Sequence, residues 1–509
     1  MRIFHVFVLV FIGYTGTFAQ YSPAVSRNFI KDSLDNYIGT AMKEWQVPGL
    51  SVAIVQQGKV IYLKGFGVRE TGKPEKVDAD TRFGIGSNTK AFTATALAML
   101  EQKGVLSLDD KVQKWVPGFT QFDPWVAREA TVRDLLCHRL GFETFQGDFM
   151  YFDSDLTYAE TKEKFGKLKP DYGFRAKWGY TNAAFAVAGE VLEKASGLTW
   201  GSFLQQQIFQ PLGMTRTLPY SKSIDTASNT ARAHTVVEGQ LKKVPYGHLD
   251  NLAPAGSIIS SAKDLSHWAT ALMDSGRWNG TPVIPPGAIG ITREPNSILG
   301  NGGSAFNSSH FMMYGLGWFL REYEGHQIVE HTGGVNGFVT SLTLIPDTRT
   351  AIIVLTNTDA NGLYEALKDE IQDALLALPF RNYSHISYTQ YATSQTRQQA
   401  RLKAKRDTVA MKLPAAATPA AITGNYLNPV YGAMTIALEN GKLLARFEHH
   451  KGRFAQLDAL GGSRYLATFN DPLYGVRVWP FTIENGVVKN VEVNVNDFVE
   501  FTTYIFDKQ

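Results

Sequence analysis

Arg82-Phe83-Gly84-Ile85-Gly86-Ser87-Asn88-Thr89-Lys90-Ala91-Phe92-Thr93 is the stretch on which the reading of this chain turns. Within it, Ser87-Asn88-Thr89-Lys90 reads Ser-x-x-Lys and opens a helix expected to run to about Lys103. Ala91, Ala94, Ala96, Leu97, Ala98, Met99 and Leu100 leave that helix almost wholly apolar, so it should be buried. Ser87 falls at or near the first turn, where unpaired backbone N–H groups favour developing negative charge. Residues three apart share a helix face, with Cβ atoms roughly 5–6 Å apart, so Lys90 can reach the Ser87 hydroxyl. Burial disfavours the charged form of a lysine, and a neutral amine can take the serine proton. An N-cap serine followed by a surface lysine has the same four letters. The chemical reading therefore requires partners elsewhere in the chain.

Two later clusters supply them. Trp178-Gly179-Tyr180-Thr181-Asn182 stands at a loop-to-helix junction and offers a phenol and an amide two residues apart. A tyrosine beside a lysine ammonium should ionise more easily and could then exchange protons with a serine or a leaving group. His331-Thr332-Gly333-Gly334 ends an expected strand. Small residues on an edge strand let a substrate lie alongside the backbone, and glycines let backbone N–H groups approach an oxyanion.

Around these clusters the pattern is α with β, then β alone. Val25 to Gln46 reads as an amphipathic helix, and Leu50–Val55 and Val60–Gly67 as a hairpin. Phe142 to Lys177 shows no clear period and reads as loops over a pocket, followed by a helix from Asn182 to Ser196. A further helix begins near Ser260. Strands are expected at Gly315–Leu320, Gln327–His331, Phe338–Ile345 and Ala351–Leu355, with a closing helix from Glu365 to Leu378. Strands at both ends of a helical block point to one sheet assembled from both ends. Residues 381–420 read as a linker with a charged stretch and an Ala/Pro stretch. Beyond them seven or so short alternating runs suggest a small barrel or sandwich.

At 509 residues the chain is long enough for two domains. Its +3 net charge gives no reason to expect nucleic acid, and no phosphate loop or metal-ligand spacing is present. Arg2, an apolar run from Ile3 to Gly13 and Thr17-Phe18-Ala19 read as a signal peptide over 1–19, so an exported chain, periplasmic or secreted, is expected. No later apolar run reaches membrane-spanning length. Cys137 is the only cysteine, which excludes an intramolecular disulfide.

Ser-x-x-Lys, Tyr-x-Asn and the His-Thr-Gly strand, in this order, resemble the marks of the serine hydrolases that include class C β-lactamases, DD-peptidases, certain esterases and D-amino-acid peptidases. Leu135–Gly141 and Ala255–Leu265 are also similar to segments of that family. The resemblance implies an α/β (α+β) hydrolase domain over 20–380, with a helical region beside an antiparallel sheet flanked by helices. It implies Ser87 as acylated nucleophile, Lys90 as its activating partner and Tyr180 as proton shuttle. Asn182, His331, Thr332 and Gly333 would hold the substrate, and the N–H groups of Ser87 and Gly334 would form the oxyanion hole. Neither metal nor organic cofactor is implied. His331 departs from the lysine usual in class C β-lactamases and is charged only near or below pH ~6.5. That favours a peptidase or esterase acting on a peptide, D-residues included, or a small ester. A β-lactamase and a penicillin-binding sensor that stays acylated are the alternatives. Residues 421–509 resemble the lipocalin-like β-barrel domain appended to some of these hydrolases. Restricting pocket entry, forming a homo-oligomer interface and plain stabilisation are the roles open to it.

Overall fold

β1 (Gly49–Gln56) and β2 (Lys59–Gly67) are joined in one sheet by β3 (Ser297–Asn301), β4 (Phe311–Tyr314), β5 (Phe319–Tyr323), β6 (His326–Val335), β7 (Phe338–Ile345) and β8 (Thr350–Thr356). This computed structural model describes residues 29–304 and 306–509. The expected signal peptide lies outside the described residues. The order across the sheet is β2-β1-β8-β7-β6-β5-β4-β3, and every neighbouring pair is antiparallel. Leu50 pairs with Thr356 and Gln56 with Thr350. The two ends of the domain thus meet in adjacent strands, as the sequence pattern anticipates.

The principal helices are α1 (Leu34–Glu44), α2 (Thr89–Gln102), α3 (Asp148–Tyr151), α4 (Asn182–Ser196), α5 (Ala262–Met273), α6 (Leu363–Leu375) and α7 (Tyr383–Ala410). Alternate residues of a strand point to opposite faces, and both faces of the central strands are covered. Leu50, Val52 and Ile54 of β1 share a core with Ile352 and Val354 of β8 and with apolar residues of α1 and α6. Ala53, Val55, Ile353 and Leu355 face the other way, into the core that contains α5 and α2. That is why Val52–Val55 of β1 and Ala351–Leu355 of β8 read as unbroken apolar runs. Twelve residues of α2, Thr89 to Leu100, are buried, and Phe92 stacks on Trp268 of α5 at 4.2 Å between ring centroids.

The tail forms a closed barrel of eight strands, β9 (Gly424–Asn428), β10 (Gly432–Glu439), β11 (Lys442–Phe447), β12 (Phe454–Gly461), β13 (Arg464–Phe469), β14 (Val476–Glu484), β15 (Val487–Val493) and β16 (Tyr504–Lys508), each paired with the next in sequence. Phe447, Phe469, Trp479 and Phe506 pack in its core. The barrel also receives a side chain from the preceding domain. Phe149 of α3 stacks on His450 at 4.6 Å and lies 5.0 to 5.8 Å from Phe447, Tyr474 and Tyr504.

Two local expectations are corrected. Gly315 to Gly317 precede β5 instead of belonging to it, because Gly317 turns at φ +73° where its backbone passes close to the Lys90 carbonyl. The stretch read as a connector contains the 28-residue helix α7. Only Ser384 of α7 is buried, so the helix carries no apolar stripe for periodicity to reveal. It is moored at its start, where Trp45 Nε1 donates to Ser384 Oγ at 3.0 Å and the Ser384 N–H donates to Tyr37 Oη at 2.9 Å. Among the described residues no helix is long and apolar enough to cross a membrane.

The stacked Phe92 has no exposed surface, and truncation there leaves a cavity between helices that cannot close. Phe92→Ala should therefore lose about 3–5 kcal/mol in denaturant unfolding.

Candidate active site

Ser87 lies in a single tight turn, Gly86–Asn88, that leads directly into α2. It does not act as an N-cap: the N-cap position is Asn88, whose side-chain Nδ2 donates instead to the Ile85 carbonyl at 3.1 Å and to Thr340 Oγ1 of β7 at 2.9 Å. These bonds fix the serine turn against the sheet. Two glycines permit the approach. Gly86 has φ +52°, and a Cβ there would stand 2.7 Å from the Gly334 nitrogen. A Cβ on Gly333 would stand 1.9 Å from the Ile85 carbonyl oxygen. Any side chain at either position would force β6 away from Ser87.

Lys90 has no exposed surface. Its Nζ lies 3.0 Å from Ser87 Oγ, 2.6 Å from Asn182 Oδ1 and 2.8 Å from the Ala255 carbonyl. Burial drives its pKa well below the ordinary lysine value, opposed only in part by the carboxyl of Asp148. A neutral amine has two hydrogens and one lone pair. The Ala255 carbonyl can only accept, and so can Asn182 Oδ1, because the amide's Nδ2 donates to Asp148 Oδ2 at 2.5 Å. The lone pair of a neutral Lys90 is left for Ser87, whose hydroxyl can donate.

Tyr180 and Asn182 arrive together from the start of α4. His138, at φ +60°, holds their link: its Nδ1 accepts the Thr181 N–H at 3.0 Å, and its ring lies 4.4 Å from that of Tyr180. Lys90 Nζ sits 4.6 Å from the centre of the Tyr180 ring. The expectation that Tyr180 ionises readily is not met. Burial pushes its phenol up, and the Ser87 hydroxyl offsets this only partly. The physical reason is that burial also drives Lys90 well below its ordinary value, which weakens the cation that would stabilise a phenolate.

His331 is likewise neutral. Burial first, then Lys90, lowers its pKa to about 3. Its Nδ1 is 2.6 Å from the Thr332 carbonyl, an obligate acceptor, so Nδ1 carries the hydrogen and Nε2 accepts from Tyr314 Oη at 3.2 Å. β6 is not an edge strand over its first part, where it pairs with β5 from His326 to Glu330. Beyond Glu330 that pairing stops while β7 continues to pair as far as Val335. Thr332, Gly333 and Gly334 therefore present one unpaired edge.

A cavity of about 300 Å³ brings Ser87, Tyr180, Asn182, His331, Thr332, Gly333 and Gly334 together, with Lys90 directly behind Ser87. Residues that sequence reasoning passes over are also here: Asp148, Phe145, Phe152 and Phe319, and Phe498 and Val499 from the barrel. His138 falls in one of the family-like segments, where the sequence assigns it no role. Asp148 lies in the aperiodic stretch and gives no signal.

A beta-lactamase family model matches residues 34–376. An unguisins hydrolase of Aspergillus campestris is 28% identical over 441 residues, covering 80% of this chain and 78% of its own. Penicillin-binding protein 4* of Bacillus subtilis is 26% identical over 352 residues, covering 65% of this chain and 73% of its own. Among solved structures, the octameric penicillin-binding protein homologue from Pyrococcus abyssi superposes with a TM-score of 0.59 at 20% identity, covering 93% of this chain and 99% of that one. A D-stereospecific amidohydrolase from Streptomyces superposes with a TM-score of 0.52 at 23% identity, covering 67% and 95%.

A histidine held at about 3 does not titrate near neutrality. The His331 ring resonances should keep the Nδ1–H pattern from pH 8 to 5. Because its folded pKa lies below the ordinary 6.5, the unfolded chain alone takes up this proton between those values. The contribution of this group to stability should therefore fall as pH drops from about 6.5 toward 3, read as a falling denaturation midpoint that His331→Gln makes shallower.

Proposed function

The chain belongs to the beta-lactamase family, and from that premise we propose that it is a serine hydrolase that opens an uncharged, apolar amide through an acyl-enzyme on Ser87. The observation that carries this reading is the buried Lys90, whose two other partners can only accept and which therefore faces Ser87 with its lone pair. In the proposed sequence Ser87 Oγ attacks the substrate carbonyl as its proton passes to Lys90 Nζ. The N–H groups of Ser87 and Gly334 receive the oxyanion. Tyr180, kept protonated by burial, gives its proton to the departing nitrogen and recovers one from Lys90. Water then attacks the acyl-enzyme with the same groups acting in reverse. Asn182 commits one amide hydrogen to Asp148 and has a second for the substrate carbonyl.

The lining supports the substrate class. Phe145, Phe152, Trp178, Phe319 and Phe498 supply apolar walls, and among the described residues the lining includes no lysine or arginine. With His331 neutral, a substrate carboxylate has no cation to meet. The unpaired edge of β6 favours an extended peptide over a small ester, since it can bond to a second backbone. The name of the Aspergillus relative, an unguisins hydrolase, agrees with hydrolysis as the outcome. An exported chain remains part of the proposal, on the strength of the apolar N-terminal run.

Ser87→Ala should abolish labelling by a fluorophosphonate, read by intact mass, and lower hydrolysis on the order of 10⁴-fold or more. Wild type should hydrolyse a neutral N-acyl phenylalanyl anilide at least about tenfold better in kcat/KM than the same compound with a carboxylate on the acyl group, a difference of about 1.4 kcal/mol. Preference for the carboxylate form, or rapid consumption of a penicillin, would overturn the uncharged-substrate reading in favour of a β-lactamase.

A further inference from the structure

Glu500, in the loop between β15 and β16, is wholly buried against the hydrolase domain. Its Oε1 accepts the Gly147 N–H at 2.8 Å and its Oε2 the Phe149 N–H at 2.9 Å. Tyr431 Oη donates to it at 2.8 Å and Thr502 Oγ1 donates as well. The two backbone donors flank Asp148. From there the bonds continue to the nucleophile: Asp148 accepts from Asn182, Asn182 accepts from Lys90, and Lys90 meets Ser87. A path thus runs from the barrel to the reacting hydroxyl, hydrogen-bonded except at Asp148, where the clamped backbone carries it covalently to the carboxyl.

We propose that Glu500 is a positioning residue for the reaction, through which the C-terminal barrel holds Asp148 beside Asn182 and keeps Lys90 a free base. This rests on the reading of Ser87 as nucleophile.

Two buried carboxyls in close proximity cannot both keep a charge at little cost. Glu500 has four donors and Asp148 one, so Glu500 is the ionised member and Asp148 holds a proton. Burial raises both carboxyls, but the bonds from Thr502, Gly147 and Phe149 pull Glu500 back down, while the Glu500 charge pushes Asp148 further up, well above its ordinary value. Lys90 feels Asp148 in turn. The other titratable groups facing these three are Tyr180, His138 and His331 around Lys90, Tyr151 beside both carboxyls, and Tyr431 and Tyr504 beside Glu500. All are held in their neutral forms by burial. Removing the Glu500 charge lowers Asp148 and favours its ionisation, with burial still opposing it. An ionised Asp148 raises Lys90, and the pH below which Lys90 is protonated and inactive moves upward.

The test is the rate of Ser87 labelling by a fluorophosphonate on the full chain, followed by intact mass from pH 5 to 10, with thermal melts of each variant. Glu500→Gln should move the acid limb of the profile to higher pH, and labelling on that limb should slow about tenfold if the limb moves by about one pH unit. Glu500→Asp keeps the charge and should return the limb to the wild-type pH even if its melting temperature drops. Thr502→Val weakens the hold on the Glu500 charge and should move the limb in the same direction by less. It also serves if Glu500→Gln does not fold. A limb that stays at the wild-type pH in the folded variants, with rates that merely follow the melts, would overturn the positioning role alone. A wild type that takes no label would overturn the nucleophile reading and this one with it.

Discussion

The structure depends on a lysine buried without a carboxylate in direct contact. Bringing an ammonium out of water costs several kcal/mol, and no salt bridge to Lys90 is present among the described residues to offset it. Burial instead drives its pKa well below the ordinary lysine value, toward the free amine. That shift is useful only if the lone pair faces a hydroxyl, so the surroundings must offer two strict acceptors and one donor. The Ala255 carbonyl, the oriented amide of Asn182 and Ser87 meet that requirement. The orientation of Asn182 in turn needs Asp148 on its other side.

A neutral Lys90 changes what its neighbours can be. Tyr180 and His331 stand around it in a desolvated cluster of rings, with His138 and Tyr314. No member carries a charge that would favour ionising another, so the phenol stays protonated and the imidazole stays neutral. In the proposed reaction a site of this kind would move protons between uncharged groups. It has little to offer a charged ligand.

The motifs that meet at the cavity were legible because each is short and sits on a regular element. Ser87 and Lys90 share one helix face, Tyr180 and Asn182 flank one helix start, and His331 to Gly334 lie on one strand. Periodicity located those elements, and β7 and α4 fall where the apolar pattern put them. The protonation state of Tyr180 was not legible, since it follows from the burial of a different residue. Nor was α7, a polar helix held by the Ser384 bonds at its first turn and by Tyr388 and Tyr391 packed against Trp45. The bonds between Glu500 and the backbone at Gly147 and Phe149 join residues 353 and 351 positions apart. No local pattern records them.

That long reach also decides how the barrel should be regarded. A domain added for stability alone would meet its neighbour through surface that could vary freely. Here the contact is a phenylalanine from one domain set among the rings of the other, with a buried carboxylate closing on the two N–H groups beside it. Moving the barrel would pull Phe149 from an apolar site and leave a buried charge unsatisfied, and each of these is costly by itself. The segment so clamped carries Asp148 at its centre and Phe145 and Phe152 on either side, all of which line the cavity. Phe498 reaches the same cavity from the barrel's own loop, its ring 3.2 Å from where a Cβ on Gly334 would stand. The floor of the pocket belongs to the helical region and the sheet, and part of its wall belongs to the barrel. The cavity is therefore a property of both domains together.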